Sequence, residues 1–253
     1  MNKKHSFIVS FLVASSLFPC AGITSAHELT SWSDKMELAR TLAEKSQHKE
    51  SMSALIEAYK DLNGIEHARD SHKKEFVDTL TELADSYHKA GDWPSEYQVL
   101  IILGAFYRYH QNTDSIEYAD CLWKIGINCD HRKAYEEGLA NLKQAAEIYK
   151  DHPLISAERI SRIDRGLGHL YSETGQFTLA RESLSSAEKL SEKLLNERVH
   201  DLVRALILKG RLDRKLKEYD RAIVSYKKAI ELFRNHFRRG HLWLGQAFNE
   251  NCD

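Results

Sequence analysis

Histidine and cysteine are the residues of this 253-residue chain best suited to chemistry, and their spacing decides against most of it. There are 13 histidines. A zinc protease needs His-Glu-x-x-His, which sets two rings on one helical face around the metal. That motif is absent, as are a Cys-x-x-Cys pair, a glycine-rich phosphate loop and a Gly-x-Ser-x-Gly elbow. His67/His72 and His236/His241 are each five apart, off the three- or four-residue spacing that brings two side chains together on a helix. A chain beginning at His27 would offer one N-terminal copper ligand, but no convergent ligands accompany it. No metal, cofactor or catalytic residue is therefore expected, and the chain reads as not an enzyme.

The cysteines point the same way. Cys121 and Cys129 are eight apart on one expected helix, so about 12 Å apart and beyond disulfide reach. Each falls in a slot that neighbouring segments fill with apolar residues, which suits buried small hydrophobes. Cys252 lies in the tail, either free or cross-linked between chains.

The elements that hold these residues are helical hairpins. From Ile163 to Leu190, two amphipathic segments flank a turn at Glu173-Thr174-Gly175. Small residues fall where two helices must touch, and large ones fill the gaps. Moving by 42 residues refills the same slots. The close-contact slot of the first helix reads Ala84, Gly126, Gly168, Gly210. The residue before it reads Leu83, Ile125, Leu167 and then Lys209, which breaks the pattern. The aromatic opening the second helix reads Trp93, Tyr135, Phe177, Tyr219. Further slots read Leu100, Leu142, Leu184, Tyr226 and Leu103, Ala145, Ala187, Ala229.

These residues resemble the tetratricopeptide (TPR) helix–turn–helix repeat, in a long-period form similar to that of kinesin light chain and of some bacterial peptide-binding regulators. Against the usual 34 residues, each unit carries 8 more, roughly one extra turn per helix. The resemblance implies an all-α fold, a right-handed superhelical solenoid whose first helices line a concave groove. The expected organisation is a divergent capping hairpin at 27–66, then four repeats within 67–236 (about 70–108, 114–150, 155–194 and 198–235). A solvating helix at 237–253 follows, suggested by Leu244-Gly245 and Phe248. Solenoid ends need a solvated face, which atypical terminal units supply.

Composition agrees with a helical chain: 42% apolar residues, with only 12 Gly and 3 Pro. A net charge of −1 selects neither nucleic acid nor membrane. At the N-terminus, Lys3 and Lys4 precede an apolar run from Phe7 to Phe18, with small residues at Thr24-Ser25-Ala26. This reads as a secretory signal at 1–26 cleaved near Ala26, so the chain is expected to be exported, periplasmic or secreted. Cys20 offers a rival lipoprotein reading, ranked lower because Phe18 and Pro19 are poor neighbours for lipidation. The apolar run is shorter than the roughly 20 residues of a membrane span, so no membrane insertion of the mature chain is expected.

Carrying over the groove-facing positions of the family by register gives the candidate site. The early repeats offer Asp78, Thr81, Asp85, His88 and Lys89. The middle offers Asp120, Trp123, Ile127, Asp130 and His131, then Arg162, Arg165, His169, Ser172 and Glu173. The last offers Arg204, Ile207, Arg211, Arg214 and Lys215. Partner contacts are expected at Trp123, Ile127, Arg162, Arg165, His169, Arg204, Ile207, Arg211 and Arg214. Residues 27–130 carry 11 Lys and Arg against 19 Asp and Glu, whereas residues 131–253 carry 23 against 18. A protein or peptide with an acidic segment is the expected partner, held bidentately by arginine with Trp123 as the anchor. Each of these residues has a plainer reading, as a solvated helix face for the charges and as core for Trp123. With His88, His131 and His169 on that face, binding is expected to vary at about pH 6–7. Thr81 and Asp85 depart from the Lys and Asn of the co-chaperone carboxylate clamp, which argues against that ligand. The alternative is an assembly subunit of an envelope or secreted complex, a homo-oligomer whose oppositely charged ends meet head to tail.

Overall fold

The computed structural model describes residues 32–45, 47–64, 70–110, 112–152 and 155–236. The signal segment, Cys20, His27, Cys252 and the terminal helix at 237–253 lie outside the described residues. Ten α-helices and no strand are found among the described residues. They are α1 (Trp32–Glu44), α2 (His48–Gly64), α3 (Asp70–Ala90), α4 (Trp93–Tyr109), α5 (Ile116–His131), α6 (Tyr135–Lys150), α7 (Ala157–Glu173), α8 (Phe177–Lys193), α9 (Leu195–Lys215) and α10 (Tyr219–His236). Two compact units divide the chain, Met1–Thr113 with α1–α4 and Asp114–Asp253 with α5–α10.

The fold class is all-α, a solenoid of paired helices. Within each unit, sequential helices form hairpins; in the second, α6 also packs on α7 and α8 on α9. First helices meet first helices, α5 with α7 and α7 with α9. In the first unit, Phe76 is the centre of an aromatic core, 5.8 Å from the Tyr59 ring and 5.3 Å from that of Phe106. Met36, Leu55, Leu80 and Leu100 are fully buried in the same unit.

The 42-residue period also appears in the backbone, where the side-chain slots did not reveal it. Each hairpin from α3 onward turns through one left-handed residue: Gly91 (φ 73°), Lys133 (φ 59°), Gly175 (φ 78°) and Lys217 (φ 62°). The next residue's N–H reaches back to a carbonyl five residues earlier. These bonds are Asp92 to Tyr87 (3.0 Å), and Ala134 to Cys129, Gln176 to Tyr171 and Glu218 to Asp213 (2.8 Å each). This is the Schellman arrangement, which satisfies carbonyls that the end of a helix leaves open.

The small-residue slot is a helix contact. An ideal Cβ on Gly126 would stand 2.6 Å from Leu142, one on Gly168 2.6 Å from Leu184, and one on Gly210 2.6 Å from Tyr226. Real Cβ atoms do not approach so closely, so at these three positions a side chain would force Leu142, Leu184 or Tyr226 to move, whereas Ala84 fills the matching slot of α3. Leu142 and Leu184 are thereby fully buried, each worth about 1.5–3 kcal/mol of transfer free energy. Lys209 breaks the apolar slot because α8 offers it a carboxylate. Its Nζ lies 2.6 Å from Glu188, which Lys228 also reaches at 3.1 Å. Burial opposes ionisation of Glu188, but the two ammonium groups prevail and hold its carboxyl below the usual range.

Candidate partner-binding hollow

The nine candidate contact residues all belong to the second unit, on α5, α7 and α9. Each lines one of three hollows that share walls. The first, about 410 Å³, is bounded by Trp123, Arg162, Arg165, Arg198, His200, Asp201 and Arg204. The second, about 300 Å³, adds Ile127, Asp130, Gly166, His169, Ile207, Leu208 and Arg211. The third, about 470 Å³, continues from His169, Leu208 and Arg211 to Ser172, Glu173, Arg214 and Lys215. A continuous trench results, floored by aliphatic side chains and rimmed mainly by arginine.

Local sequence explains the positions. Ser115 and Ser156 cap α5 and α7 by accepting from the N–H groups of Tyr118 and Arg159. On α7, residues 162, 165, 166, 169, 172 and 173 recur at three- and four-residue spacing, so they share one face. Arg159 grips Asp120 of α5 through two hydrogen bonds of 3.2 and 3.1 Å, and the Tyr149 hydroxyl donates to the same carboxylate. Burial, then the Asp120 carboxylate, raise the Tyr149 pKa well above the usual phenol value. Asp120, expected on the binding face by register, is thus a tie between α5, α6 and α7.

The charges lining the trench differ in how far they are committed. The Arg165 guanidinium lies 2.8 Å from Asp201, both nearly buried. Burial lowers the Arg165 pKa and Asp201 opposes the shift, leaving it a cation at any working pH. Arg165 therefore fastens α7 to α9 and shows the trench only its edge. Ile207 is likewise largely internal, packed with Val203, Leu206 and Ala229. Arg162 pairs with Glu158 one turn earlier and lies over the Trp123 ring, 5.4 Å from its centroid. Trp123 is half-buried, between the anchor and core readings. His169 Nε2 sits 3.1 Å from Asp130, and Lys215 bonds the Ser172 carbonyl at 2.8 Å and Glu173 at 3.4 Å. Arg211 has no ion pair among the described residues, and its Nε is buried without a hydrogen-bond partner there.

Several residues escaped the sequence reading. Arg198 sits at a kink in α9 (φ −141°, ψ 48°), 2.7 Å from Glu158. Asp201, Gly166 and Leu208 fall between the carried-over positions. Only the i, i+4 steps 162–166 and 204–208 could have signalled the last two. The early-repeat positions lie on α3 of the first unit. There Asp78, Asp85 and Lys89 are exposed, and His88 Nδ1 is 3.0 Å from the buried Glu96 carboxylate.

Residues 159–235 match the tetratricopeptide repeat family model. The fold is TPR-like. BtubC (BKLC) from P. vanneervenii superposes with a TM-score of 0.62 at 14% identity over 82% of each chain. A putative kinesin light chain of nearly identical TPR-like repeats from Podosopora anserina gives 0.56 at 16% identity, over 83% of this chain and 100% of that one. A MamA protein gives 0.54 at 15%, over 83% and 98%. No curated protein matches the chain significantly. A TPR-like solenoid is consistent with a protein- or peptide-binding scaffold. Among the described residues there is no group of three His, Cys, Asp or Glu that could hold a metal. No disulfide occurs there either: Cys121 and Cys129 are buried thiols. An all-helical stack of this kind is consistent with a non-enzymatic scaffold. Among the described residues no helix is long and apolar enough to cross a membrane.

Proposed function

We propose that this chain is an exported scaffold that binds a protein or peptide partner in the trench formed by α5, α7 and α9, through an acidic segment of that partner. One observation carries the reading: an aliphatic floor at Ile127, Ile207 and Leu208 rimmed by Arg162, Arg204, Arg211 and Arg214. Arginine forks hold carboxylates, and an apolar floor supplies the contact area that anchors them. The test is affinity capture from an extract of the source organism's exported proteins, with wild type, Trp123→Ala and Arg211→Glu as baits of equal helicity. A partner held by wild type and lost by both variants supports the reading. Partners retained by all three baits place the interface elsewhere and refute it.

The charge difference between the two parts of the sequence favours one second reading, association of the chain with itself. Sedimentation across concentration and salt decides it: a monomer indifferent to salt removes that alternative.

A further inference from the structure

We infer that the hollow between α8 and α10 is a binding site for a neutral pyranose sugar, independent of the trench and of the partner proposed for it. The hollow measures about 450 Å³ and shares no lining residue with the trench. Small-molecule sites span about 300–1,000 Å³. Arg181 and Ser185 of α8 form one wall. Asp220, Arg221, Val224 and Ser225 of α10 form the other, and Lys209 and Asp213 of α9 line the space between them.

The hollow opens where the repeat pattern breaks. One period earlier the matching positions hold Leu139 of α6 with Leu167 and Tyr171 of α7, all buried. Lys143, which matches Ser185, covers the Tyr171 ring with its Nζ 5.4 Å from the centroid. At the last junction those three apolar positions are Arg181, Lys209 and Asp213, and the covering lysine is a serine. A phenol ring and its cover are exchanged for a carboxylate, a hydroxyl and open space. A six-membered ring brought by a ligand takes the place of the phenol.

The polar groups decide which ring. Each cation already has a carboxylate: Arg181 lies 3.0 Å and Arg221 2.8 Å from Glu218, and Lys209 2.6 Å from Glu188. The hollow therefore offers little to a phosphate or a carboxylate, and a ligand ammonium would meet three like charges. What it lacks is a donor to Asp213. That residue is 2% exposed, and its Oδ1 has no hydrogen bond among the described residues. Arg181 Nη1 stands 3.3 Å from that oxygen, an ion pair without hydrogen-bond geometry. Buried acceptors are as a rule bonded. A sugar hydroxyl donates there and brings no charge. Ser185 and Ser225 can give to or accept from further hydroxyls, and Val224, exposed at the rim, suits the C–H face of the ring.

The test is saturation-transfer NMR with the full chain and the methyl pyranosides of glucose, galactose, mannose and N-acetylglucosamine, each up to about 10 mM. At least one is expected to bind. Asp213→Tyr, which installs the ring of the preceding junction, should weaken that binding by at least about tenfold. Ser185→Lys, which restores the cover, should do the same, and decides alone if circular dichroism shows Asp213→Tyr unfolded. Arg211→Glu in the trench should leave sugar binding unchanged. No binding of any of the four overturns the inference, as does unchanged binding by a folded Asp213→Tyr or by Ser185→Lys. Tighter binding of glucose 6-phosphate or of spermidine overturns the neutral class. None of these results bears on partner capture by the trench, so the two readings fail separately.

Discussion

The left-handed residue of each turn gives the sharpest test of how this sequence makes its repeats. Gly175 has φ 78°, and a Cβ added there meets nothing within 4 Å. Gly175→Ala therefore changes backbone energy without a steric clash. A side chain in the left-handed region costs about 1–2 kcal/mol. Alanine recovers about 0.4–1 kcal/mol by reducing the freedom of the unfolded chain. The net expectation is a loss of about 1 kcal/mol. Lys217, with φ 62° at the matching turn and an exposed side chain, is the mirror experiment. Lys217→Gly should gain about as much as Gly175→Ala loses, since both terms change sign. Urea unfolding followed by circular dichroism reads both, with slope compared so that only midpoint shifts are counted. In a chain of this size 1 kcal/mol moves the thermal midpoint by about 2–4 °C. An unchanged midpoint for Gly175→Ala, or destabilisation by Lys217→Gly, would refute the claim that one backbone conformation governs all four turns.

Three further outcomes are expected. Asp201→Ala strands the buried Arg165 guanidinium and should cost about 3–5 kcal/mol, whereas Arg165→Leu combined with Asp201→Leu should recover most of it; denaturant midpoints of the three variants check this. The Cys129 thiol, pushed up to about 12 by burial and then by Glu137, should resist iodoacetamide at pH 8 in the native chain and react on unfolding, as peptide mass mapping will show. His110 is held below its usual range by burial and then by Lys73. The native state thus binds its proton more weakly than the unfolded chain does. Stability should be unaffected well above about pH 6.5 and fall as pH drops below it, and His110→Phe should flatten that slope in unfolding titrations.

The helical hairpins were legible because their contacts are enforced by size. Gly126, Gly168 and Gly210 leave room for Leu142, Leu184 and Tyr226 and nothing more, so the slots survive as a visible period. The turn geometry was half-legible: Gly91 and Gly175 mark it, but Lys133 and Lys217 occupy the same conformation with nothing in their chemistry to announce it. Register also brought the nine candidate residues to one trench, because face membership on a helix follows from spacing alone. What register does not carry is the partner of each charge. The Arg165–Asp201 bond joins residues 36 apart, and the Asp120–Arg159 bond residues 39 apart. Such pairs depend on how α5, α7 and α9 stack, which no local pattern encodes. Lys209 shows the same limit in reverse: a broken slot on α9 becomes intelligible only when Glu188 of α8 stands beside it.

That division between committed and uncommitted charge decides which substitutions can report on binding. Arg165 looks like a hot spot from its register, yet reversing its charge would place two carboxylates together in a nearly buried site beside Asp201. The chain would lose stability whether or not a partner ever touched the residue. Arg162 is a mixed case, since it holds Glu158 and covers Trp123. Arg211 has neither tie among the described residues, so its removal leaves no buried carboxylate behind. Loss of partner at Arg211 with an unchanged unfolding midpoint therefore locates a contact. The same loss at Arg165 locates only the bond between two helices.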